Sequence, residues 1–482
     1  MNDSSAQELR FRQRRFLWLG LMLLVVGTAL RIPGVFTDLW LDEIWSLKIT
    51  QQVSSPIDVF TKLHHEINHY FNTLYLWYVG NHGNWPGYRI PSLIAGSCTV
   101  GLAGLIGRRR DPTSAIMAMM VMGFSYVLIV YSSEARGYAM VVFCSFLCYY
   151  ALDCYLEKPR WRWAVLYSLA AIFGLASDII FANTLLAALA WSGYRWMKCF
   201  SGWKQVVVGV LSCHAAPVLF LGMLYWVDIR HIVAGGGTPS PSLIHSYGTA
   251  LAWALGTPAA DLGKFLSCLA AIAVFYFGVR QLWRGNSDAP VFFVGVILAF
   301  PILLTAVRGS DAIYTRHFLI GMAFLLILFS FVLASLYDRG GRGRIICLFL
   351  FALYFLMNGA NLLTFFQYGR GHYGEAVQFM AGHSEKPVVT IGSDHDFRIP
   401  TTIEFYAPQT IGSKTIRYYR TKSWPTEGPE WVVLHKESFE APVPPLTELV
   451  DGGGNRYDLL RTFPTAPLVG LHWFVYHNRG TN

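Results

Sequence analysis

Runs of about 20 mostly apolar residues recur along the 482-residue chain, and nothing else in it constrains the fold as strongly. A helix of that length crosses the ~30 Å hydrocarbon core of a bilayer, where every backbone polar group must be satisfied internally. About eleven such runs are read, at 16–33, 88–107, 113–131, 137–156, 163–177, 179–194, 205–227, 262–280, 290–307, 317–337 and 345–366. The fifth and sixth are short and join near Ser177-Asp178. A weaker run, Tyr70–Val79, reads as a twelfth span or an interfacial helix. The first run follows Arg10, Arg12, Arg14 and Arg15 and ends in Arg31-Ile32-Pro33, with no small-residue cleavage pattern. It therefore reads as a span and not as a cleaved signal. Composition agrees: 54% of residues are hydrophobic and 14% charged, against about 25% charged in soluble domains. A soluble enzyme and a disordered chain are both excluded.

The loops between the runs alternate in charge. Arg108-Arg109-Arg110, Lys158/Arg160/Arg162, Arg195/Lys198/Lys204, Arg280/Arg284 and Arg339/Arg342/Arg344 fall in every second loop. Cytoplasmic loops are enriched in Lys and Arg, so this pattern predicts an inside N-terminus and an outside tail. The inside loops hold about 18 Lys+Arg against 7 Asp+Glu, the outside loops about 9 against 10, and the tail about 11 against 12. The net charge of +9 is thus a topology signal, and no nucleic-acid partner is inferred from it.

These features predict a mainly α polytopic membrane protein with about 11 transmembrane helices and a small extracytoplasmic α/β C-terminal domain. The expected division is a membrane domain over 1–366, with long outer loops at 34–87 and 228–261, and a tail domain over 367–482. The stretch 234–241 is Gly/Pro-rich and reads as turns. The tail carries short β-like runs, Pro387-Val388-Val389-Thr390-Ile391 and Trp431-Val432-Val433-Leu434, between Gly/Pro turns. All eight cysteines lie in or beside the apolar runs, so neither a disulfide framework nor a cysteine metal site is implied.

Ionisable residues gather in the outer segments. The first outer loop opens Asp38-Leu39-Trp40-Leu41-Asp42-Glu43-Ile44-Trp45. If this is one helix, Asp38 and Asp42 share a face. Carboxylates placed so suit deprotonation of a hydroxyl, because burial and like charge raise one pKa toward neutrality. A solvated cap on an interfacial helix is the plainer reading. His64-His65-Glu66-Ile67-Asn68-His69-Tyr70 offers three histidines and a carboxylate, which suit a divalent ion or a polar site lining. In Tyr131-Ser132-Ser133-Glu134-Ala135-Arg136-Gly137-Tyr138, Arg136 either pairs internally or meets an anionic headgroup. Arg308, Arg316 and His317 also fall on the outer side, against the positive-inside bias; these arginines either pair with Asp311 or meet a lipid phosphate, a natural partner for guanidinium groups. Lys264, at the outer end of the eighth run, joins them. Topology brings all of these to one membrane face, with carboxylates and cations both represented.

With these motifs assembled, the chain resembles the GT-C superfamily of polytopic glycosyltransferases, in particular bacterial members related to protein O-mannosyltransferases and lipid A aminoarabinose transferases. The resemblance rests on Asp42-Glu43, Asn68-His69, Tyr88-Arg89-Ile90-Pro91-Ser92, Ser133-Glu134-Ala135-Arg136-Gly137-Tyr138 and Tyr314-Thr315-Arg316-His317-Phe318, in that order over most of 10–366. Where many relatives carry His-Pro-Pro-Leu-Tyr, His69 is followed by Tyr70-Phe71-Asn72. The resemblance implies a polyprenyl-phosphate-linked sugar as donor and inverting transfer to a glycan, lipid or protein acceptor at the outer face of the bacterial inner (plasma) membrane. It implies Asp42 as base beside Glu43. The donor phosphate would be held by Arg316 and Arg136, with Arg308, His317 and Lys264. Asn68, His69, Glu134, Tyr138, Tyr314 and Arg89 would line the substrate site. No metal or other cofactor is assigned. The alternative is a transporter or flippase of lipid-linked sugars, although no internal repeat of the transporter kind is visible.

Overall fold

The computed structural model describes residues 3–80, 83–232, 242–257, 261–308, 313–410, 414–438 and 442–481. The stretch 234–241, expected to form turns, lies outside them. In chain order the helices are α1 Asp3–Ala29, α2 Ile32–Val35, α3 Leu41–Thr50, α4 Asp58–Thr61, α5 Tyr70–Val79, α6 Trp85–Arg108 and α7 Pro112–Phe124. They continue as α8 Tyr126–Tyr131, α9 Tyr138–Glu157, α10 Trp161–Ser177, α11 Ala182–Cys199, α12 Trp203–Val227, α13 Leu243–Ala254 and α14 Asp261–Arg284. Then follow α15 Pro290–Val294, a π-helical turn Gly295–Ala299, α16 Phe300–Arg308, α17 Leu319–Asp338, α18 Gly341–Tyr368 and α19 Tyr373–His383. The chain ends in β1 Val388–Ser393, α20 Arg398–Thr410, β2 Thr415–Tyr418, β3 Trp431–Glu437, β4 Glu448–Val450, β5 Arg456–Phe463 and β6 Leu471–Asn478.

Two compact units result: residues 1–35 with 52–360, and residues 36–51 with 361–482. Residues 36–51, expected in the outer loop 34–87 of the membrane domain, therefore pack with the tail.

The first unit is a helical bundle. Among the described residues, eight helical segments are long and apolar enough to cross a membrane, and Pro112–Phe124 and Trp161–Ser177 are shorter apolar helices. The chain is a multi-pass membrane protein. α5 has ten residues and is about 15 Å long, too short to span. α17 is apolar all round and buried along nearly its whole length, as a central helix should be. All eight cysteines are free thiols.

The expected continuous span 113–131 is instead broken at Ser125, between α7 and α8. Lipid cannot satisfy the freed backbone groups, so side chains do. The fully buried Arg31 donates to the carbonyls of Met122 (3.1 Å) and Gly123 (3.3 Å) at the end of α7. Asn358 accepts from the Tyr126 N–H (2.8 Å) at the start of α8. A similar account holds at the π-helical turn. Pro301 has no N–H, so the carbonyl four residues back, at Ile297, loses its helical donor. The Tyr247 hydroxyl supplies one at 2.6 Å.

The basic loops meet at one end of this bundle. Arg109 pairs with Asp153 and with Glu157 (2.8 Å). Thr113 bonds Asp338 (2.9 Å), and Arg195 and Lys198 clasp Asp288 at 2.6 and 2.7 Å. The segments that carry His69, Arg136 and Arg316 lie at the other end, the length of α9 and α17 away from these pairs.

The second unit holds a six-stranded mixed sheet in the order β2-β1-β3-β6-β5-β4. β1 is parallel to β2 and β3, and the remaining pairs are antiparallel. α20 provides the crossover that parallel pairing of β1 and β2 requires. The two β-like runs read in the sequence lie in β1 and β3. Val432, Tyr457, Phe474 and Tyr476 form a buried core on the sheet. α3 packs on α20, with Trp45 against Phe397 (4.9 Å) and Lys48 paired to Glu404 (2.9 Å).

Candidate functional site

The acidic candidates belong to the second unit. α3 begins at Leu41, and the Glu43 side chain accepts from the Trp40 N–H at 3.3 Å, satisfying one of the orphan donors at the helix start. Asp38 therefore lies outside the helix and does not share a face with Asp42. It accepts from the Gly374 N–H (2.9 Å) at the start of α19. Glu43 is fully buried, and so is Arg370, whose Nε lies 3.8 Å from Glu43 Oε2. Arg370 also donates to Thr37 Oγ1 (3.0 Å) and lies over the Phe365 ring (5.3 Å). Asp42 is half-buried on the next position of the same turn, and Ser46 Oγ bonds its carbonyl (2.8 Å).

Arg370 had no place among the sequence candidates. Its one local signal is the flanking pair Gly369 and Gly371, both at positive φ (54° and 116°), a conformation that favours glycine. A Cβ on Gly369 would also press on Thr37 at 2.8 Å. The glycines let the chain turn sharply and deliver the guanidinium.

The other candidates converge in the first unit, around Tyr138. The His69 ring meets the Tyr138 ring at 5.1 Å, and the Tyr131 ring meets it at 5.2 Å. The Arg136 guanidinium lies over it at 4.8 Å. Arg136 and Glu134 are both buried, 3.7 Å apart, so the internal pairing considered for Arg136 is present. The loop carrying them is braced by Asn72 Nδ2 to Ala135 O (2.8 Å) and Ser92 Oγ to Arg136 O (3.0 Å). A side chain at Gly137 would collide with the Ser177 carbonyl, so only glycine allows this loop against the α10–α11 junction.

At that junction stands Asp178, a second residue that sequence reading passed over. It lies 3.2 Å from His69 Nδ1, which is also 3.1 Å from Ser177 O. Burial pushes the Asp178 carboxyl up, but His69, the Ile180 N–H and the Arg136 charge outweigh it and hold the pKa below its ordinary value. Its place at the join of two short apolar runs was visible; its partner was not.

The three histidines go separate ways. His64 pairs with the fully buried Asp228 (2.5 Å), which also accepts from Tyr70 OH. Burial, reinforced by that bond, raises the Tyr70 pKa. His65 accepts from the Ile67 N–H (3.2 Å). Among the described residues no group of three or more His, Cys, Asp or Glu is arranged to hold a metal ion. Asn68 donates to the carbonyls of Val59 (2.7 Å) and Leu63 (3.0 Å), bracing its loop. Arg89 is fully buried and donates to the carbonyls of Gly34 (3.3 Å) and Val35 (2.9 Å).

Arg316 lies over the Tyr314 ring (4.2 Å) and within electrostatic reach of Tyr131 and Tyr138. His317 Nδ1 accepts from the Tyr314 N–H at 3.4 Å. The segment is tied to α13 by Ser246 Oγ to Ile313 O (3.2 Å) and by Tyr247 against Phe318 (5.2 Å). Beside it opens an apolar cavity of about 640 Å³, lined by Tyr247, Leu251, Phe265, Ile297 and Leu325, with Lys264 among its walls. Arg308 ends α16, and its side chain lies outside the described residues.

No protein-family model and no curated protein matches the chain. Solved structures do. ArnT from Cupriavidus metallidurans in the apo state superposes with a TM-score of 0.52 at 12% identity, over 95% of this chain and 97% of that one. The archaeal oligosaccharyltransferase AglB from Archaeoglobus fulgidus superposes with a TM-score of 0.50 at 10% identity, over 88% of this chain and 70% of that one. Both are GT-C superfamily members, and the chain adopts the GT-C fold.

Proposed function

We propose that the chain is an inverting membrane glycosyltransferase. Its donor is a sugar on a polyprenyl phosphate, and its acceptor is a hydroxyl of a glycan, lipid or protein at the extracytoplasmic face of the bacterial inner membrane. The observation that carries this reading is the convergence of Glu134, Arg136, His69, Asp178 and Arg316 around Tyr131 and Tyr138. Ionisable groups at a membrane boundary are expensive, and such a cluster indicates a functional site. The fold supports the same reading: AglB was solved with a dolichol-phosphate.

In this account the acceptor oxygen attacks the anomeric carbon from the face opposite the phosphate. The bond from that carbon to the phosphate oxygen breaks, its electron pair passes to the phosphate, and Asp42 takes the acceptor proton. Negative charge grows on the departing phosphate, so Arg316 and Arg136, with Arg308, His317 and Lys264, stabilise the transition state. The isoprenoid chain lies in the cavity beside Lys264. Glu43, fixed by Arg370, sets the helix that presents Asp42. His69, Asn68, Glu134, Tyr138, Tyr314 and Arg89 shape the substrate site.

Mass spectrometry of lipid-linked sugars in a deletion strain tests this. A polyprenyl-phosphate sugar should accumulate while one glycan, lipid or protein product loses that sugar. An unchanged profile of both contradicts the proposal.

A further inference from the structure

A second groove in the helical bundle has the reverse polarity of the first. It encloses about 850 Å³ between α14, α17 and α18. Ala270, Ala273 and Phe277 from α14, Val332 from α17, and Leu350 and Leu353 from α18 give it apolar walls. Phe277 and Leu353 are about half exposed (52% and 45%), so the groove opens sideways toward lipid. From Gly263 to Arg284 it follows α14 for ~32 Å, close to the ~30 Å hydrocarbon thickness.

Its basic end is closed by Arg280 and Arg284 on α14 and Arg339 just past α17, all exposed. Among the described residues no carboxylate lines the groove. Asp338, next to Arg339, is engaged with Thr113, and Arg280 lies over the Tyr276 ring (5.8 Å). These arginines stand at the end with the basic loops, opposite Arg316 and His69.

We propose that this groove is a site for an anionic phospholipid of the leaflet at the basic end. Its acyl chains lie along α14 and its phosphate rests among Arg280, Arg284 and Arg339. Apolar length and charge complementarity both specify that occupant: guanidinium groups bind phosphate oxygens bidentately, and the walls match acyl chains. A polyprenyl phosphate whose headgroup sits near Arg316 would place its phosphate at the wrong end. The inference does not depend on the glycosyltransferase reading.

The test is native mass spectrometry of the full chain released from nanodiscs of equal phosphatidylglycerol and phosphatidylcholine. Wild type should retain phosphatidylglycerol selectively. The Arg280→Gln/Arg284→Gln/Arg339→Gln variant should retain about tenfold less, and Ala273→Trp, which fills the groove without changing charge, should also lose it. Arg342→Gln/Arg344→Gln removes charge at the same end outside the groove and should retain wild-type levels. Equal retention of the two lipids, equal loss in the Arg342/Arg344 variant, or displacement of phosphatidylglycerol by added undecaprenyl phosphate would overturn the assignment.

Discussion

Arg370 and Glu43 illustrate what a single buried pair does for the protein. Removing one partner of a buried ion pair leaves an uncompensated charge and costs about 3–5 kcal/mol. Arg370→Gln and Glu43→Gln should each lower unfolding stability by about that much. The double variant should fall short of the sum by at least ~1 kcal/mol, and equilibrium unfolding in micelles measures both. The acidic half of this pair was legible in the sequence, because Asp42-Glu43 stands at the start of the first outer loop. The basic half was not. Arg370 is 327 positions away, and a long-range ion pair leaves no periodic trace in either segment; only the glycines on both sides hint that something holds Arg370 in place. His69 and Asp178 repeat the pattern, with one member legible and its partner supplied by the fold.

At the scale of elements, hydropathy located the helices but not their interruptions. Beyond Thr113 and Ser114 the run 113–131 is apolar except for Ser125, and this lone N-cap residue of α8 is too weak a signal to announce the break. The break is stable because Arg31, in the turn between α1 and α2, and Asn358 on α18 take over the freed backbone groups. Arg31→Met should remove the guanidinium bonds to three carbonyls, those of Gly27, Met122 and Gly123, and destabilise the bundle by about 2–5 kcal/mol, visible as a lower thermal midpoint and faster proteolysis. Unchanged stability would mean that other donors cap α7. Gly137→Ala should be more severe than an exposed helical Gly→Ala change, because the added methyl meets the Ser177 carbonyl, and the loss should appear in activity as well as in folding.

At the largest scale, the basic loops of the first unit gather at one end of its bundle. The alternation of basic loops was readable because topology is written in local Lys/Arg content, and the structure gathers those loops through Arg109, Asp338 and Asp288. At Asp288, burial raises the carboxyl pKa, but the hydrogen bonds and charges of Lys198 and Arg195 outweigh it, for a net depression. A depressed carboxylate stabilises the fold above its unfolded pKa, near 4, and that contribution disappears as pH falls through the lower, folded value. Thermal midpoints from pH 5 down to pH 2 should therefore drop more steeply for wild type than for Asp288→Asn; parallel curves would contradict the clasp. The catalytic assignment rests on Asp42, and single-turnover transfer from a labelled polyprenyl-phosphate sugar by reconstituted protein tests it most directly. Asp42→Asn should abolish transfer while leaving the thermal midpoint and donor binding near wild type. Transfer at the wild-type rate in that folded variant would contradict the account.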